Sequence, residues 1–130
     1  MVILDTNIII DHLRLQKAQS ESLLMQIAKQ KPKEVLALSI VSVQELYEGQ
    51  STKDDHKEQN LLATISPLKI LPYTYETAKL AGEIARDLKR PIELADATIA
   101  ATAILNNGFL LTINKNDFAD IAELRLFNLH

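Results

Sequence analysis

Four carboxylates occupy positions where the surrounding sequence predicts a buried core. They are Asp5 after the apolar residues 2–4, Glu45 within segment 41–46, Asp96 at the start of segment 95–101, and Asp117 after segment 109–113. Burying a charged carboxylate is costly, so such a group is usually protonated, paired with a cation or bound to a metal. Because the sequence places no matching set of basic residues beside these acids, they predict a bound divalent cation.

The residue types indicate which cation this would be. Carboxylate oxygens and water are the ligands of hard cations such as Mg²⁺ and Mn²⁺. The chain contains no cysteine, which excludes disulfides, thiolate zinc sites and cysteine nucleophiles. We do not expect a histidine ligand either, because His12 lies about two helical turns beyond Asp5, His56 lies in a polar segment, and His130 is terminal.

Composition is that of an ordinary globular protein. The chain has 130 residues, of which 47% are hydrophobic and 24% charged, and we expect a single domain over residues 1–130. Its apolar runs are far shorter than the roughly 20 residues of a membrane span. Residues 1–4 lead directly into a strand without a secretory signal, so we expect a cytosolic protein without membrane association. The net charge of -3 does not indicate nucleic-acid binding, but metal-binding acids contribute to that total.

Short apolar segments alternate with amphipathic segments along the chain. Strands without polar alternation, separated by helices, predict a parallel sheet covered on both faces, which is a three-layer α/β/α sandwich. The predicted strands are 2–4, 35–39, 68–71, 109–113 and 124–129. The predicted helices are 7–15, 20–31, 43–48 with a stop at Gly49, a segment containing Leu61, Leu62 and Ile65, a segment capped by Thr74, 95–105 after Pro91, and a short helix at 118–122. A turn is predicted at residues 107–108.

This architecture places the four acids together, because sites in open α/β sheets form at the carboxyl ends of the strands. Taken singly, the acids could instead cap a helix, complete a capping box, stabilise a helix dipole or occupy a turn. Asp5, Thr6 or Asn7 would be the helix cap, and Glu45 would form the capping box with Ser42. Asp96 would stabilise the helix dipole, and Asp117 would share the turn with Asn114 and Asn116. None of them explains why all four acids fall at one end of the same predicted sheet.

Four segments, in order, resemble the motifs of PIN-domain nucleases. Residues 4–11, Leu-Asp-Thr-Asn-Ile-Ile-Ile-Asp, resemble the opening motif of that family. Segments 42–46, 94–101 and 111–118 are similar to its second, third and fourth motifs. The resemblance covers essentially the whole chain, and the length fits the compact VapC-type toxins of prokaryotic toxin–antitoxin pairs.

The resemblance implies a metal-dependent endoribonuclease that uses water as the nucleophile. Asp5 and Asp96 would be central metal ligands, Glu45 would complete the set or position the water, and Asp117 would hold a second metal or its water shell. Many family members carry an acid where this chain has Asn114, so the fourth carboxylate must come from Asp117. Residues that would hydrogen-bond to the ligands or to metal-bound water are Thr6, Asn7, Thr112 and Asn114.

The resemblance also implies an RNA substrate, a protein antitoxin that masks the site, often with an arginine, and a homodimer. Substrate choice would depend on basic residues near the site, for which the candidates are Arg14, Lys89, Arg90 and Lys115. Candidate dimer contacts, which could equally be core residues, are Leu13, Leu23, Ile27, Leu61 and Leu62.

Two other classes of function are compatible with these residues. A phosphatase of the haloacid-dehalogenase type would use Asp5 as its nucleophile, but it would want a second aspartate where this chain has Asn7. The second is a PIN fold that has lost its metals and serves only as an interaction module, which Asn114 and the acidic composition favour. Titration with Mn²⁺ or Mg²⁺ separates that module from the enzyme.

Overall fold

The central strand β1 (Val2–Leu4) pairs in parallel with β2 (Leu36–Ser39) on one side and β4 (Phe109–Leu111) on the other. Strand β3 (Lys69–Leu71) pairs in parallel with β2, which gives the order β3-β2-β1-β4. The computed structural model describes residues 1–129. Because every pair is parallel, the carboxyl ends of all four strands lie at one edge of the sheet.

Six helices and two 3₁₀ turns connect and follow the strands. They are α1 (Thr6–Lys17), α2 (Leu23–Gln30), α3 (Ile40–Glu48), α4 (Asp55–Ile65), α5 (Tyr75–Asp87) and α6 (Leu94–Leu105), with 3₁₀ turns at Gln50–Lys53 and Lys115–Phe118. Within residues 1–129, no helix has both the length and the hydropathy that crossing a membrane requires.

Both faces of the sheet are covered, which confirms the predicted three-layer sandwich. Along β1, Val2 and Leu4 belong to one hydrophobic core with Ile8 and Ile27, on the side of α1 and α2. Ile3 belongs to a second core on the opposite face, which includes residues of α6. All three strand residues are fully buried, and each buried aliphatic side chain contributes roughly 1.5–3 kcal/mol to folding. Burial on both faces is why the strand sequence shows no polar alternation.

The start of α3 differs from the prediction. Ser39 is the N-cap and its hydroxyl accepts a hydrogen bond from the backbone N–H of Val41 at 3.2 Å, so the helix begins at Ile40 rather than near Val43. Ser42 therefore lies inside the helix, fully buried, which excludes the alternative role of Glu45 in a capping box with Ser42. Helix α2 likewise begins later than predicted, because the Ser22 hydroxyl caps it by accepting from the Met25 N–H.

The predicted elements at the C-terminal end are wrong. A 3₁₀ turn ends at Phe118 where a helix over 118–122 was expected, and Asp120 and Glu123 both have positive φ angles, which stop helix propagation. Instead of a strand over 124–129 there is one parallel bridge between Leu126 and Leu110. This bridge extends the sheet beyond β4 by a single residue pair.

The turn at Asn107-Gly108 is present, and its glycine is required by space rather than by backbone angle. Asn107 has a φ of 51°, whereas Gly108 does not have a positive φ. A Cβ atom on Gly108 would lie 2.4 Å from Ile3 Cδ1 and 3.1 Å from the Met1 carbonyl oxygen.

We therefore expect Gly108→Ala to lower the free energy of unfolding by about 1–3 kcal/mol, because Ile3 is fixed in the core and the clash forces a shift. The matched control is Gly82→Ala in α5, where an added Cβ meets no atom within 4 Å. There we expect unchanged or increased stability. Urea unfolding followed by circular dichroism measures both, and equal stabilities of the two variants would contradict this packing argument.

Candidate functional site

The predicted site residues lie at the carboxyl edge of the sheet. Asp5 directly follows β1 and occupies the N-cap position of α1. Glu45 lies in α3, which follows β2, and Asp96 lies in the first turn of α6. Asp117 lies in the 3₁₀ turn after β4. The pKa effects described below show that all four acids lie within electrostatic reach of one another at this edge.

Asp5 is the most deeply buried of the four acids, with 3% of its surface exposed. Its Oδ2 accepts a hydrogen bond from Thr112 Oγ1 at 2.8 Å, and its backbone N–H donates to the Leu111 carbonyl at 2.9 Å. Burial raises the pKa of the Asp5 carboxyl, and the hydrogen bond from Thr112 opposes that rise. The side chain makes no N-cap hydrogen bond to α1, although the Thr6 backbone N–H also lowers the pKa of the Asp5 carboxyl.

Glu45 is held by a hydroxyl from the neighbouring helix. Thr6 Oγ1 lies 2.6 Å from Glu45 Oε1 and 2.7 Å from Ser42 Oγ. Thr6 has one hydroxyl proton, so when it donates to the carboxylate, Ser42 supplies the proton of the second hydrogen bond. Ser42, for which capping was the alternative role, thus completes a chain of hydroxyl groups that positions Glu45. The signal in the sequence was its spacing, one helical turn before the acid.

Asp96 carries the largest electrostatic perturbation at this edge. Burial, followed by the charges of Asp5, Asp117, Glu45 and Glu93, raises the pKa of Asp96 from 3.8 to about 6. Glu93 was not predicted to matter, although it is the N-cap residue of the same helix and precedes Asp96 by one turn. The three-residue spacing of two acids at a helix start is the signal that could have revealed it.

Asp117 is solvent-exposed, yet its charge raises the pKa values of both Asp5 and Asp96. The loop that carries it is anchored by Arg90, whose guanidinium donates to the carbonyls of Asp117 at 3.1 Å and Ala119 at 2.7 Å. Arg90, a candidate for substrate contact, therefore has a structural role. Asn114 donates its backbone N–H to Thr112 Oγ1 at 2.9 Å, so the same hydroxyl links Asp5 to the start of this loop.

The acids fit a hard cation by their chemistry. None of the salt bridges within residues 1–129 involves Asp5, Glu45, Asp96 or Asp117. No three acidic or histidine side chains in that range lie closely enough together to enclose an ion. Four like charges repel one another in the absence of a cation, and a divalent ion is the kind of group that would offset that repulsion.

The other predicted residues lie outside this cluster or support it indirectly. His12 Nδ1 lies 2.7 Å from Ser22 Oγ and joins α1 to the start of α2. Lys115 donates to Asn128 Oδ1 at 3.3 Å, Lys89 is exposed, and Asn7 is half-buried in the first turn of α1. His56 is exposed in α4, and His130 lies outside the described residues.

The five leucine and isoleucine residues considered for a dimer interface divide by exposure. Ile27 and Leu61 are buried core residues, and Leu13 and Leu23 pack partly buried against the same core. Leu62 is 46% exposed and remains available as a surface contact.

The chain is similar to known proteins over nearly its full length. The family model for the PIN domain matches residues 2–124. Ribonuclease VapC10 from two strains of Mycobacterium tuberculosis is 33% identical over 128 residues, which cover 96% of this chain and 91% of that protein. A crystal structure of VapBC2 from Rickettsia felis, bound to a DNA fragment from its promoter, contains a chain that matches with a TM-score of 0.84, 26% identity and full coverage of both chains. A toxin–antitoxin complex from Klebsiella pneumoniae contains a chain that matches with a TM-score of 0.71, 26% identity and 95% coverage of each.

Proposed function

The chain belongs to the PIN-domain family and is of the VapC type, and from this premise we propose that it is a metal-dependent endoribonuclease, the toxin of a toxin–antitoxin pair. The similarity to Ribonuclease VapC10 supports RNA as the substrate class. An enzyme of this class would act in the cytoplasm, where cellular RNA is used. Membership of this family makes the phosphatase alternative unnecessary.

The observation that carries the proposal is the electrostatic cost of the carboxylate cluster in the absence of a cation. Asp5 is 3% exposed and Asp96 is half-buried, and burial raises the pKa of each carboxyl. The charges of Glu45 and Asp117 raise both pKa values further. This arrangement destabilises the metal-free fold, since like charges are held together without a counter-charge. A site that binds Mg²⁺ or Mn²⁺ explains why the sequence tolerates that cost.

Within this site, a bound Mg²⁺ or Mn²⁺ would activate water and stabilise charge on the phosphate oxygens during hydrolysis. Asp5, Asp96 and Glu45 would hold the cation, and Asp117, being exposed, would hold a second cation or order water at the entrance. Thr112 orients the Asp5 carboxylate, and Thr6 orients that of Glu45 through the contacts described above. Asn7 and Asn114 are the proposed hydrogen-bond partners of water beside the ligands.

Two partners follow from the same proposal. One of the similar solved structures is a toxin–antitoxin complex, and we infer that a protein antitoxin covers the acidic edge of this chain as well. A basic side chain of that partner could take the place of the cation among the four acids. We also infer a homodimer, to which the exposed Leu62 is a candidate contributor.

The test of the proposed function is cleavage of a random-sequence single-stranded RNA pool by the purified chain. We expect cleavage with millimolar Mn²⁺ or Mg²⁺, and its loss when EDTA is added, because the ligands cannot stabilise the transition state without the cation. A DNA pool of the same length tests the preference for RNA. Calorimetric titration with Mn²⁺ separates the alternatives, since a chain that binds no metal at millimolar concentration is the interaction module and not the enzyme.

A further prediction concerns Thr112, which is 4% exposed and donates to Asp5. We expect Thr112→Val to weaken Mn²⁺ binding by about 10- to 100-fold, because residues that orient metal ligands typically contribute that much. Thr112→Ser retains the hydroxyl and should restore most of the affinity. Isothermal calorimetry measures both variants, and equal affinities for valine and serine would show that the hydroxyl does not orient Asp5.

A further inference from the structure

A cleft of about 380 Å³ opens beside Glu45, between α1, α3 and α4. The side chains of Ile10, Leu13, Leu46 and Leu61 give it an apolar lining. Leu46 and Leu61 belong to the core, whereas Ile10 is 47% exposed and presents an apolar surface to solvent. Asn60 Nδ2 donates to Gln16 Oε1 at 2.9 Å, which joins α4 to α1 beside the cleft.

Basic side chains surround this apolar lining. Arg14 and Lys17 from α1 and Lys57 from α4 all line the cleft, in a chain whose net charge is -3. Arg14 pairs with Asp11, but the arginine side chain is 73% exposed, and exposed pairs of this kind are weak enough for a phosphate to compete. Lys17 takes part in none of the salt bridges found within residues 1–129.

We propose that this cleft is a binding subsite for one unstacked nucleobase of single-stranded RNA, next to the phosphate that is cleaved. The proposal rests on the proposed function, since Glu45 is both a wall of the cleft and a member of the acidic cluster. An apolar floor with a cationic rim matches the chemistry of a nucleotide, whose base is apolar on its faces and whose backbone is anionic.

The size of the cleft selects a single nucleotide rather than a duplex. Its volume lies at the lower end of the roughly 300–1,000 Å³ typical of small-ligand sites. Ser51 and Asn60 supply polar groups that could contact a base edge. The lysines would contact the flanking phosphates, which adds affinity without base preference. The cleft would therefore supply sequence preference to an enzyme whose metal site contacts only the phosphate.

Gly49 is a position in the cleft wall where an added Cβ meets no close contact. It lines the cleft, has a φ of -73°, and would place a Cβ at an ordinary 3.7 Å from the Leu46 carbonyl oxygen. Gly49→Leu is the test variant. Gly82→Leu is the matched control, because Gly82 is exposed on α5, which does not line the cleft, and its Cβ would meet nothing within 4 Å.

The experiment sequences the cleavage products of a random single-stranded RNA pool in Mn²⁺ for the wild-type protein and both variants. We expect the wild-type protein and Gly82→Leu to share a base preference at one nucleotide near the cut. Gly49→Leu should lose that preference, and kcat/KM on the preferred sequence should fall at least about tenfold. Replacing that nucleotide by an abasic one should slow the wild-type protein and leave Gly49→Leu unaffected.

Identical cleavage profiles and rates for Gly49→Leu and Gly82→Leu would overturn the subsite while leaving the nuclease proposal intact. If the wild-type protein cleaves no RNA, the nuclease proposal fails, and fluorescence anisotropy with the labelled pool then decides the subsite separately. Weaker binding by Gly49→Leu alone supports it, and equal binding rejects it. A Gly49→Leu protein that handles RNA normally but no longer binds a protein antitoxin would assign the cleft to that protein and overturn the RNA proposal.

Discussion

Asp96→Asn is expected to abolish Mn²⁺-dependent RNA cleavage and, at the same time, to raise the thermal stability of the metal-free protein. Both effects come from one carboxylate. Its charge is needed to hold the cation. In the absence of a cation, burial and then the charges of Asp5, Asp117, Glu45 and Glu93 raise its pKa to about 6. At neutral pH the wild-type side chain is thus ionised in an environment that disfavours the ion.

The loss of activity should be large, at least about 100-fold, because removal of a ligand weakens both metal binding and the electrostatic stabilisation that the metal supplies. Asp5→Asn should lose activity to a similar extent. Its amide oxygen can still accept the hydrogen bond from Thr112, so the fold should persist. Wild-type activity in either variant would show that the acidic edge is not the catalytic site.

Glu76→Gln is the control for the stability measurement. Like Asp96, Glu76 is an acid in the first turn of a helix, α5, but it lies outside the acidic cluster. Removing it should slightly lower stability, since an acid near a helix N-terminus interacts favourably with the helix dipole. Thermal unfolding in EDTA at pH 7.5 should therefore shift upward for Asp96→Asn and slightly downward for Glu76→Gln. A downward shift for both would mean that Asp96 is merely a helix-stabilising residue.

How far the sequence predicted the fold depended on whether local signals agreed with tertiary contacts. Strand β1 was predictable because Val2, Ile3 and Leu4 are all apolar. A strand whose sheet is covered on both faces buries every side chain, so it needs an uninterrupted apolar run. The start of α3 was not predictable from the sequence, because Ser39 and Ser42 are both residues that commonly cap a helix. The choice between them depends on Thr6, which is 36 residues from Ser42 and hydrogen-bonds to it.

The sequence predicted the acids of the candidate site, but it did not predict all of the residues that position them or shift their pKa values. The approach of Asp5 and Asp96 follows from strand order alone, since β1 and the helix before β4 meet at one edge. The contribution of Glu93 is different. It depends on the direction and burial of side chains at the start of α6, which the residue types do not specify. The prediction for the C-terminal segment was wrong for a similar reason. Asp120 and Glu123 have positive φ angles, and neither is a glycine that would have indicated such a conformation in the sequence.

The second large effect is a reversal, by metal, of the pH dependence of stability. Without metal, the protein should lose stability as the pH rises from about 4 to about 6. The unfolded Asp96 carboxyl has a pKa of 3.8 and the folded one has a pKa of about 6. Between these values the folded state retains a proton that the unfolded state has released, so each increase in pH favours unfolding. Below pH 4 both states are protonated, and above pH 6 both are ionised, so the effect levels off.

With saturating Mn²⁺ the slope should change sign. Cation binding requires deprotonated carboxylates, so affinity and the stability linked to it increase with pH over the same range. Melting temperatures between pH 4.5 and 7.5, in EDTA and in Mn²⁺, measure the two slopes. The raised pKa of Asp5 acts in the same direction as that of Asp96 and should strengthen both trends.

Subtracting the Asp96→Asn profile isolates the contribution of this carboxyl. Burial lowers the pKa of His12, so that residue destabilises the fold as the pH falls below its ordinary value of 6.5 and partly masks the effect of Asp96 in the raw data. Because His12 is unchanged in the variant, its contribution cancels in the difference. The difference should decline from pH 4 to pH 6 in EDTA and rise in Mn²⁺. Parallel profiles in EDTA would show that Asp96 titrates normally, and an unchanged slope in Mn²⁺ would show that these acids bind no cation.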